Sequence, residues 1–232
     1  LRPRDIATYV GSGALDVGIT GRDLLLDSHS EATEICELGF GDSTFRFAGP
    51  AGEFKDLSDM AGKRVATSYP GLVGTFLAKN GVQAQLVKLD GAVESSVKLG
   101  VADAVADVVS TGSTLRKAGL EIFGAVLLES TGVLVARDAS VEGVSTLVRR
   151  LQGVLVAQQY VLMDYDVPRS LLEQACEIAP GIESPTVSPL HDPDWAAVRV
   201  MVPRFDRNEV MDKLYDLGAR AILVSAIHAA RL

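Results

Sequence analysis

One short run holds most of the chemistry-bearing residue types of this chain. Asp103 and Asp107 sit four apart in an otherwise apolar stretch, and Ser110, Thr111, Gly112, Ser113 and Thr114 follow at once. Alternating apolar residues that end in a carboxylate, then a hydroxyl-rich turn, then a helical pattern, gather free backbone N–H groups and hydroxyls where a phosphate dianion is stabilised. Gly112 lets the backbone come close to such a ligand. Asp107, just ahead of the turn, is placed to accept hydrogen bonds from sugar hydroxyls. The same residues also make an ordinary helix N-cap turn, so the spacing leaves both readings open. No Lys follows Gly112, which rules out a Walker loop, and the glycine spacing is not that of a dinucleotide fingerprint.

That segment needs neighbours to hold it. Pro3 to Val10 reads as a helix with Pro in its first turn. Strands are expected at Leu15–Ile19, Thr44–Ala48, Arg64–Ala66, Gln85–Leu89, Ala104–Val108 and Thr131–Val135. Helices are expected at Leu72–Lys79, stopped by Asn80-Gly81, at Ala92–Lys98, and from Thr114 to Ala118. Alternating strands and helices predict an α/β fold with largely parallel sheets. The chain is expected to leave one lobe near Thr44 and to return near Gly132. Residues 1–43 and 132–153 then form one lobe and 44–131 the other, with a ligand cleft between them.

Beyond Gln152 the pattern changes. Val154–Asp166 reads as a strand, Pro168 opens a helix that Pro180-Gly181 stops, and Ser184–Pro189 and Ala196–Val202 read as strands. Asn208–Leu217 is helical and Ala221–Ile227 is the last strand. The order β-α-β-β-α-β over residues 154–232 is the ferredoxin-like arrangement.

Composition removes several classes. Hydrophobic residues at 47% and charged residues at 22% are enough for a core and leave no stretch that reads as disordered. The formal net charge of −8, without a basic stripe, argues against a nucleic-acid partner. Bound phosphates must therefore be held by backbone amides and a few side chains. The two cysteines, Cys36 and Cys176, make no disulfide framework and fit a reducing cytoplasm. Apolar runs such as Ala221–Ile227 are too short for a membrane, and no signal peptide is visible. The histidines His29, His191 and His228 lie near turns or termini, and no His/Cys cluster has metal-ligand spacing.

The Asp103–Leu115 segment is similar to the phosphoribosyl-pyrophosphate (PRPP) loop of the ATP phosphoribosyltransferase family. Further stretches match that family in the same order: Leu1-Arg2-Pro3, Asp16 to Asp23 with Thr20-Gly21-Arg22, Ala66 to Pro70, Asp90 to Glu94, and Glu183 to Thr186. The resemblance covers essentially the whole chain. It implies a bilobal catalytic part resembling type II periplasmic binding proteins, followed by a ferredoxin-like regulatory domain. The implied reaction joins PRPP to N1 of ATP and releases pyrophosphate, with Mg2+ carried mainly by PRPP and pyrophosphate. Adenine N1 is the nucleophile, so no catalytic triad is needed. It further implies feedback inhibition by L-histidine and a homodimer that assembles into a homohexamer.

Residue by residue, the resemblance gives Asp103, Asp107 and Ser110–Thr114 to PRPP, with Thr20, Gly21, Arg22 and Asp23 lining the cleft from the other lobe. Arg22 and Asp107 carry the main catalytic expectation, Arg22 as a bidentate phosphate clamp or else as a surface Arg. Tyr69 stacks on or borders the nucleotide, or is a half-buried loop aromatic. Glu94 touches a substrate or faces solvent, and Asp103 is alternatively a partner for backbone at the strand start. Asp166, Thr186 and Ala221 are carried over as the histidine site, with Asp166 pairing the amino group or merely leading into the Pro168 helix. The chain opens Leu1-Arg2-Pro3-Arg4 without Met. The family pattern leads one to expect a few dozen preceding residues, including a first strand and a Pro-Asn-Lys-Gly-type loop, that complete the first lobe. A solute-binding protein or sensor domain, and a different nucleotide-dependent transferase, are the competing readings; PRPP dependence separates them.

Overall fold

The computed structural model describes residues 1–109 and 112–231. Its elements in chain order begin with α1 (Pro3–Gly11), β1 (Val17–Gly21), α2 (Arg22–Ser28), β2 (Thr33–Glu37), β3 (Ser43–Pro50) and β4 (Arg64–Thr67). Then come α3 (Pro70–Lys79), β5 (Gln85–Lys88), α4 (Ser95–Lys98), β6 (Ala104–Val109), α5 (Ser113–Lys117), β7 (Leu120–Ser130) and β8 (Gly132–Ala136). The last third holds α6 (Val144–Gln159), β9 (Tyr160–Pro168), α7 (Leu172–Ile178), β10 (Thr186–Pro189), β11 (Trp195–Pro203), α8 (Arg207–Leu217) and β12 (Arg220–Ala226). The chain divides into two compact units, Leu1–Ser145 and Thr146–Leu232.

The first unit contains two sheets. One is antiparallel in the order β1-β8-β2. Helix α1 lies directly on it, because Gly18 lets the Ile6 side chain approach to where a Cβ would be 2.3 Å away. The other sheet runs β5-β4-β6-β3-β7. Its β4–β5 and β4–β6 pairs are parallel, and its β3–β6 and β3–β7 pairs are antiparallel. Parallel pairing is therefore confined to the strands joined by helical crossovers, and the largely parallel sheet expected from the alternation is corrected to mixed and antiparallel sheets.

Strand β6 sits at the centre of this sheet and buries both faces. Ala104 and Ala106 join Phe45, Phe47, Met60 and Val73 in one core, while Val105 and Val109 join Val93, Leu115 and Leu120 in another. Alternation along a strand puts Asp107 on the second face with Val105 and Val109.

Three expected elements change. The helix expected from Ala92 starts only at Ser95, because Gly91 (φ 88°) and Ala92 (φ 49°) are both left-handed. The strand expected from Val154 is helical until Gln159, so the β-branched Val154 and Val156 are carried in α6 against their propensity. Strand β7 was not anticipated: its apolar run is broken at Gly124 (φ 65°), where the β3 pairing jumps from Leu128 to Phe123.

In the second unit β9, α7, β10, β11, α8 and β12 form an antiparallel sheet of order β10-β11-β9-β12, the ferredoxin-like topology. Val161, Met163, Tyr165 and Val167 point one way into a core with Val198, Val200, Val202 and Leu214. The intervening Asp164 and Asp166 fall on the other face. No helix among the described residues is long and apolar enough to cross a membrane.

Leu214 is fully buried in this second core. Leu214→Ala should cost about 2–5 kcal/mol. The chain's single tryptophan, Trp195, begins β11, so the loss is read as a lower urea midpoint in Trp195 fluorescence.

Candidate functional site

The two sheets of the first unit are linked by two chain crossings, after β2 and after β7. The crossings are bonded to each other: Leu38 N–H donates to the Gly132 carbonyl at 2.9 Å, and Gly132 N–H donates to the Phe40 carbonyl at 2.8 Å. Two cavities open beside them. One, of about 560 Å3, is lined by Arg22, Glu37, Thr44, Val109, Glu129 and Ser130. The other, of about 450 Å3, is lined by Thr20, Gly21, Asp23, Tyr69, Val108 and Ser130 among others. Together they form a cleft with walls from both sheets.

From the β1 side, Thr20 is buried and its hydroxyl donates to the Pro3 carbonyl at 2.7 Å. Asp23 is 8% exposed; its N–H donates to Ser130 Oγ at 3.0 Å, and that hydroxyl donates back to Asp23 Oδ1 at 2.9 Å. A Cβ at Gly21 would lie 2.2 Å from Asp23 Oδ1, so the carboxylate folds back over that glycine. Arg22 is not a free clamp. Its Nε donates to Glu34 Oε2 at 2.8 Å, its Nη2 to Glu34 Oε1 at 2.6 Å, and Nη2 also meets Glu37. These two carboxylates push the Arg22 pKa up, and Arg22 holds Glu34 below the usual carboxylate value.

From the other sheet Tyr69 lines the second cavity; Asp107 is close enough to Tyr69 to act on its charge, but neither Asp107 nor Glu94 lines either cavity. Burial pushes the Asp107 carboxyl up, the Glu94 charge adds to this, and the Val108 N–H bonded to Asp107 at 2.8 Å opposes it. Glu94 thus stands in the neighbourhood of Asp107. Tyr69 is half-buried, edge-on to Phe45 at 5.1 Å; burial first, and Asp23 second, push its phenol up. Gly112 has φ 66°, the left-handed conformation that favours glycine, and precedes α5, on which Ser113 and Thr114 are exposed. Ser110 and Thr111 lie outside the described residues.

Asp103 is at the far end of β6 from this loop. Its carboxylate accepts the Arg64 N–H at 2.8 Å and pairs with Arg64 Nη2 at 2.7 Å. Arg64 holds its pKa down at about 2. This is the alternative expected for it, a partner for backbone at the strand start: the six residues of β6, roughly 3.3 Å each, separate it from the turn, and it fastens β4 to β6.

The second unit has a hollow of about 500 Å3 on the open face of its sheet. Asp166, Thr186 and Ala221, expected as one site, all line it, with Asp164, Ser188 and Arg199. Arg199 Nε donates to Asp164 Oδ1 at 2.7 Å, and the two are direct cross-strand partners. The β12 strand bulges between Arg220 and Leu223, with Ala221 at φ 51°. Sequence reasoning missed Asp164, Arg199 and Ser130. For the first two a signal existed, since polar residues alternate with Met163, Tyr165, Val198 and Val200; for Ser130 there was none.

A two-sheet α/β body with a cleft, together with a ferredoxin-like domain that has its own polar hollow, defines an α/β protein of the periplasmic-binding-protein-like kind with a C-terminal domain. Residues 2–153 match the family model described as ATP phosphoribosyltransferase, and residues 157–229 match the one described as HisG, C-terminal domain. The chain is 62% identical over its whole length to an ATP phosphoribosyltransferase of Arthrobacter sp. (strain FB24), of which it covers 84%. It is 60% identical to one of Micrococcus luteus, again over the whole chain and 83% of the relative. Among solved structures, an ATP phosphoribosyl transferase (HisG:HisZ) complex from Thermotoga maritima aligns with TM-score 0.59 and 28% identity, over 66% of this chain and 76% of that one. The chain belongs to the ATP phosphoribosyltransferase family, in its long form with a C-terminal domain, and is a pentosyltransferase of histidine biosynthesis.

Asp103, just ahead of β6, and Asp107, within it, make an internal contrast. The depressed Asp103 contributes stability that is full above about pH 4 and is lost as pH falls through its folded value of about 2. The raised Asp107 works the other way, since its ionised form is disfavoured in the folded chain. At pH 7 Asp103→Asn should lower Tm by a few degrees, and Asp107→Asn should leave it unchanged or raise it. Calorimetry between pH 3 and pH 8 checks both signs.

Proposed function

We propose that the cleft transfers the 5-phosphoribosyl group of PRPP to N1 of ATP, giving N1-(5-phosphoribosyl)-ATP and pyrophosphate. The observation that carries this assignment is Asp107. It is a carboxylate kept in a partly buried position near the C-terminal end of β6, against its own charge preference, and followed along the chain by a left-handed Gly112 and an exposed hydroxyl pair. A carboxylate held this way accepts hydrogen bonds from ribose hydroxyls, and the Ser110–Thr114 turn receives the 5-phosphate. Adenine N1 attacks C1 of the ribose as the C1–oxygen bond to pyrophosphate breaks. Positive charge builds on the ring, and negative charge on the leaving group. The protein aligns two polyanions and compensates the departing charge. Mg2+ bound to the pyrophosphate would add to that charge compensation.

Arg22 joins in by exchange. Glu37, whose side chain is 63% exposed, yields its place on the guanidinium to a phosphate, while Glu34 keeps the fork aimed. Thr20, Gly21 and Asp23 complete the wall, and Tyr69 borders the adenine. In the second unit, L-histidine occupies the open-face hollow. Asp166 pairs its ammonium, and Thr186 and the Ala221 bulge bound it. Binding there lowers transferase activity. The active assembly is a cytoplasmic homodimer that forms a homohexamer; the relative from Thermotoga maritima is itself described as a complex.

Pyrophosphate release should require ATP, PRPP and Mg2+ together and should fall with millimolar L-histidine. Asp107→Ala should lose about 100-fold in kcat/KM for PRPP, the scale of removing one transition-state contact. It should keep histidine binding by calorimetry, because the two sites lie in different units. A folded wild-type protein that releases no pyrophosphate overturns the assignment, as does equal loss of both ligands in the variant.

A further inference from the structure

Helix α3 begins with an unusual shortage of local partners. Its N-cap, Tyr69, makes no side-chain cap among the described residues, and Pro70 at the first position has no N–H. Val73 N–H is satisfied by the Tyr69 carbonyl at 3.1 Å. Two orphan donors are left, Gly71 and Leu72. Both donate to one atom from the other sheet's side of the cleft: Gly71 N–H to Asp27 Oδ1 at 2.8 Å and Leu72 N–H to the same oxygen at 3.0 Å. A carboxylate at this end of a helix also meets the favourable pole of its dipole.

The other Asp27 oxygen is engaged too. Arg4 Nη1 donates to Asp27 Oδ2 at 3.2 Å and to the Ser68 carbonyl at 2.9 Å. The Arg4 guanidinium lies over the Tyr69 ring, 5.0 Å from its centroid. Asp27 and Arg4 come from α2 and α1, which pack on the three-stranded sheet; Ser68, Tyr69, Gly71 and Leu72 belong to the five-stranded one. The approach is tight, since a Cβ at Gly71 would lie 2.3 Å from the Asp27 carbonyl oxygen and 2.8 Å from His29 Nε2.

We infer that Asp27 and Arg4 are positioning residues for the transfer reaction: they latch the start of α3 to the α1–α2 side and hold the cleft at its working width. This rests on the cleft being the transferase site. The latch touches neither reacting group. It acts through Tyr69, which lines the cleft, and through the angle between the two sheets. Releasing it lowers the fraction of molecules with a closed cleft. Apparent affinity falls by that fraction for every ligand the closed cleft binds, while the chemistry of the fully bound complex is unchanged.

The test uses Asp27→Ala and, independently, Gly71→Ala, which wedges the same contact apart without removing the carboxylate. In both, the Gly71-to-Val73 segment should lose hydrogen-exchange protection. KM for ATP and for PRPP should rise together, by about tenfold, with kcat within about twofold. Asp27→Asn, which keeps one acceptor oxygen, should recover part of the loss. The double variant should be no worse than the worse single one. Retained amide protection, unchanged KM values, or a rise in only one of them would overturn the proposal. If Asp27→Ala fails to fold, Gly71→Ala decides alone. If wild-type protein releases no pyrophosphate, the transferase assignment fails separately, and amide exchange in the variants still decides whether the latch exists.

Discussion

The cleft exists because the chain crosses between its two sheets twice and the crossings are bonded to one another. The Leu38–Gly132 and Gly132–Phe40 backbone bonds turn two loose connections into one short ribbon, and the Thr131 hydroxyl adds a bond to the Phe40 carbonyl at 3.1 Å. Gly132 is required there: a Cβ would lie 2.8 Å from the Phe40 ring. This ribbon also starts the site, since Arg22 N–H donates to the Thr131 carbonyl at 3.0 Å and Ser130 and Asp23 bond reciprocally. The same residues thus join the lobes and shape the cleft wall, so the site's geometry is tied to the hinge.

Charge around the cleft is moderated locally. The net charge is −8; Asp23, Glu37, Asp42 and Glu129 line the cavities of the cleft, Glu34 is bonded to Arg22, and Asp107 stands near Tyr69. Two devices moderate that field. Arg22 is neutralised locally by Glu34 and Glu37, which fixes its position. Burial, with a smaller push from the Glu94 charge, raises the Asp107 pKa, so its carboxyl takes up a proton more readily than a free one. Just ahead of the same strand Asp103 pairs with Arg64 and fastens β4 to β6. Two identical side chains differ in role because one end of β6 meets a cation and the other meets a buried corner.

This difference marks the limit of what sequence could show. The strand carrying Asp107 and the β-α-β-β-α-β tail were legible, because periodicity and turn residues are local signals, whereas Asp166, Thr186 and Ala221, which line one hollow, were grouped only by the family resemblance. The mixed sheets were not, because antiparallel pairing of β3 with β6 and β7 is decided by long-range register. Strand β7 was hidden by its bulge at Gly124, and Val154–Gln159 was misread since packing overrode β-branched propensity. Asp103 matched the family motif but is placed by Arg64, a contact that spans 39 positions.

Two bodies joined by a two-stranded ribbon retain one soft rotation, and a third tie away from the ribbon removes it. Asp27 on the α3 amides is such a tie. Hydrogen bonds to a charged group contribute about 1.5–3 kcal/mol each when little solvent competes. The Asp27 side chain is only 10% exposed, whereas Arg4 at 43% is screened and adds less. Two amide bonds to Asp27 therefore suffice to keep an open arrangement to a small minority of molecules, in the range a few kcal/mol allows. Any ligand that fills the cleft must enter through that minority or break the latch on arrival. Cleft width is then an energetic quantity set far from the reacting atoms, by one carboxylate and a helix that begins with proline.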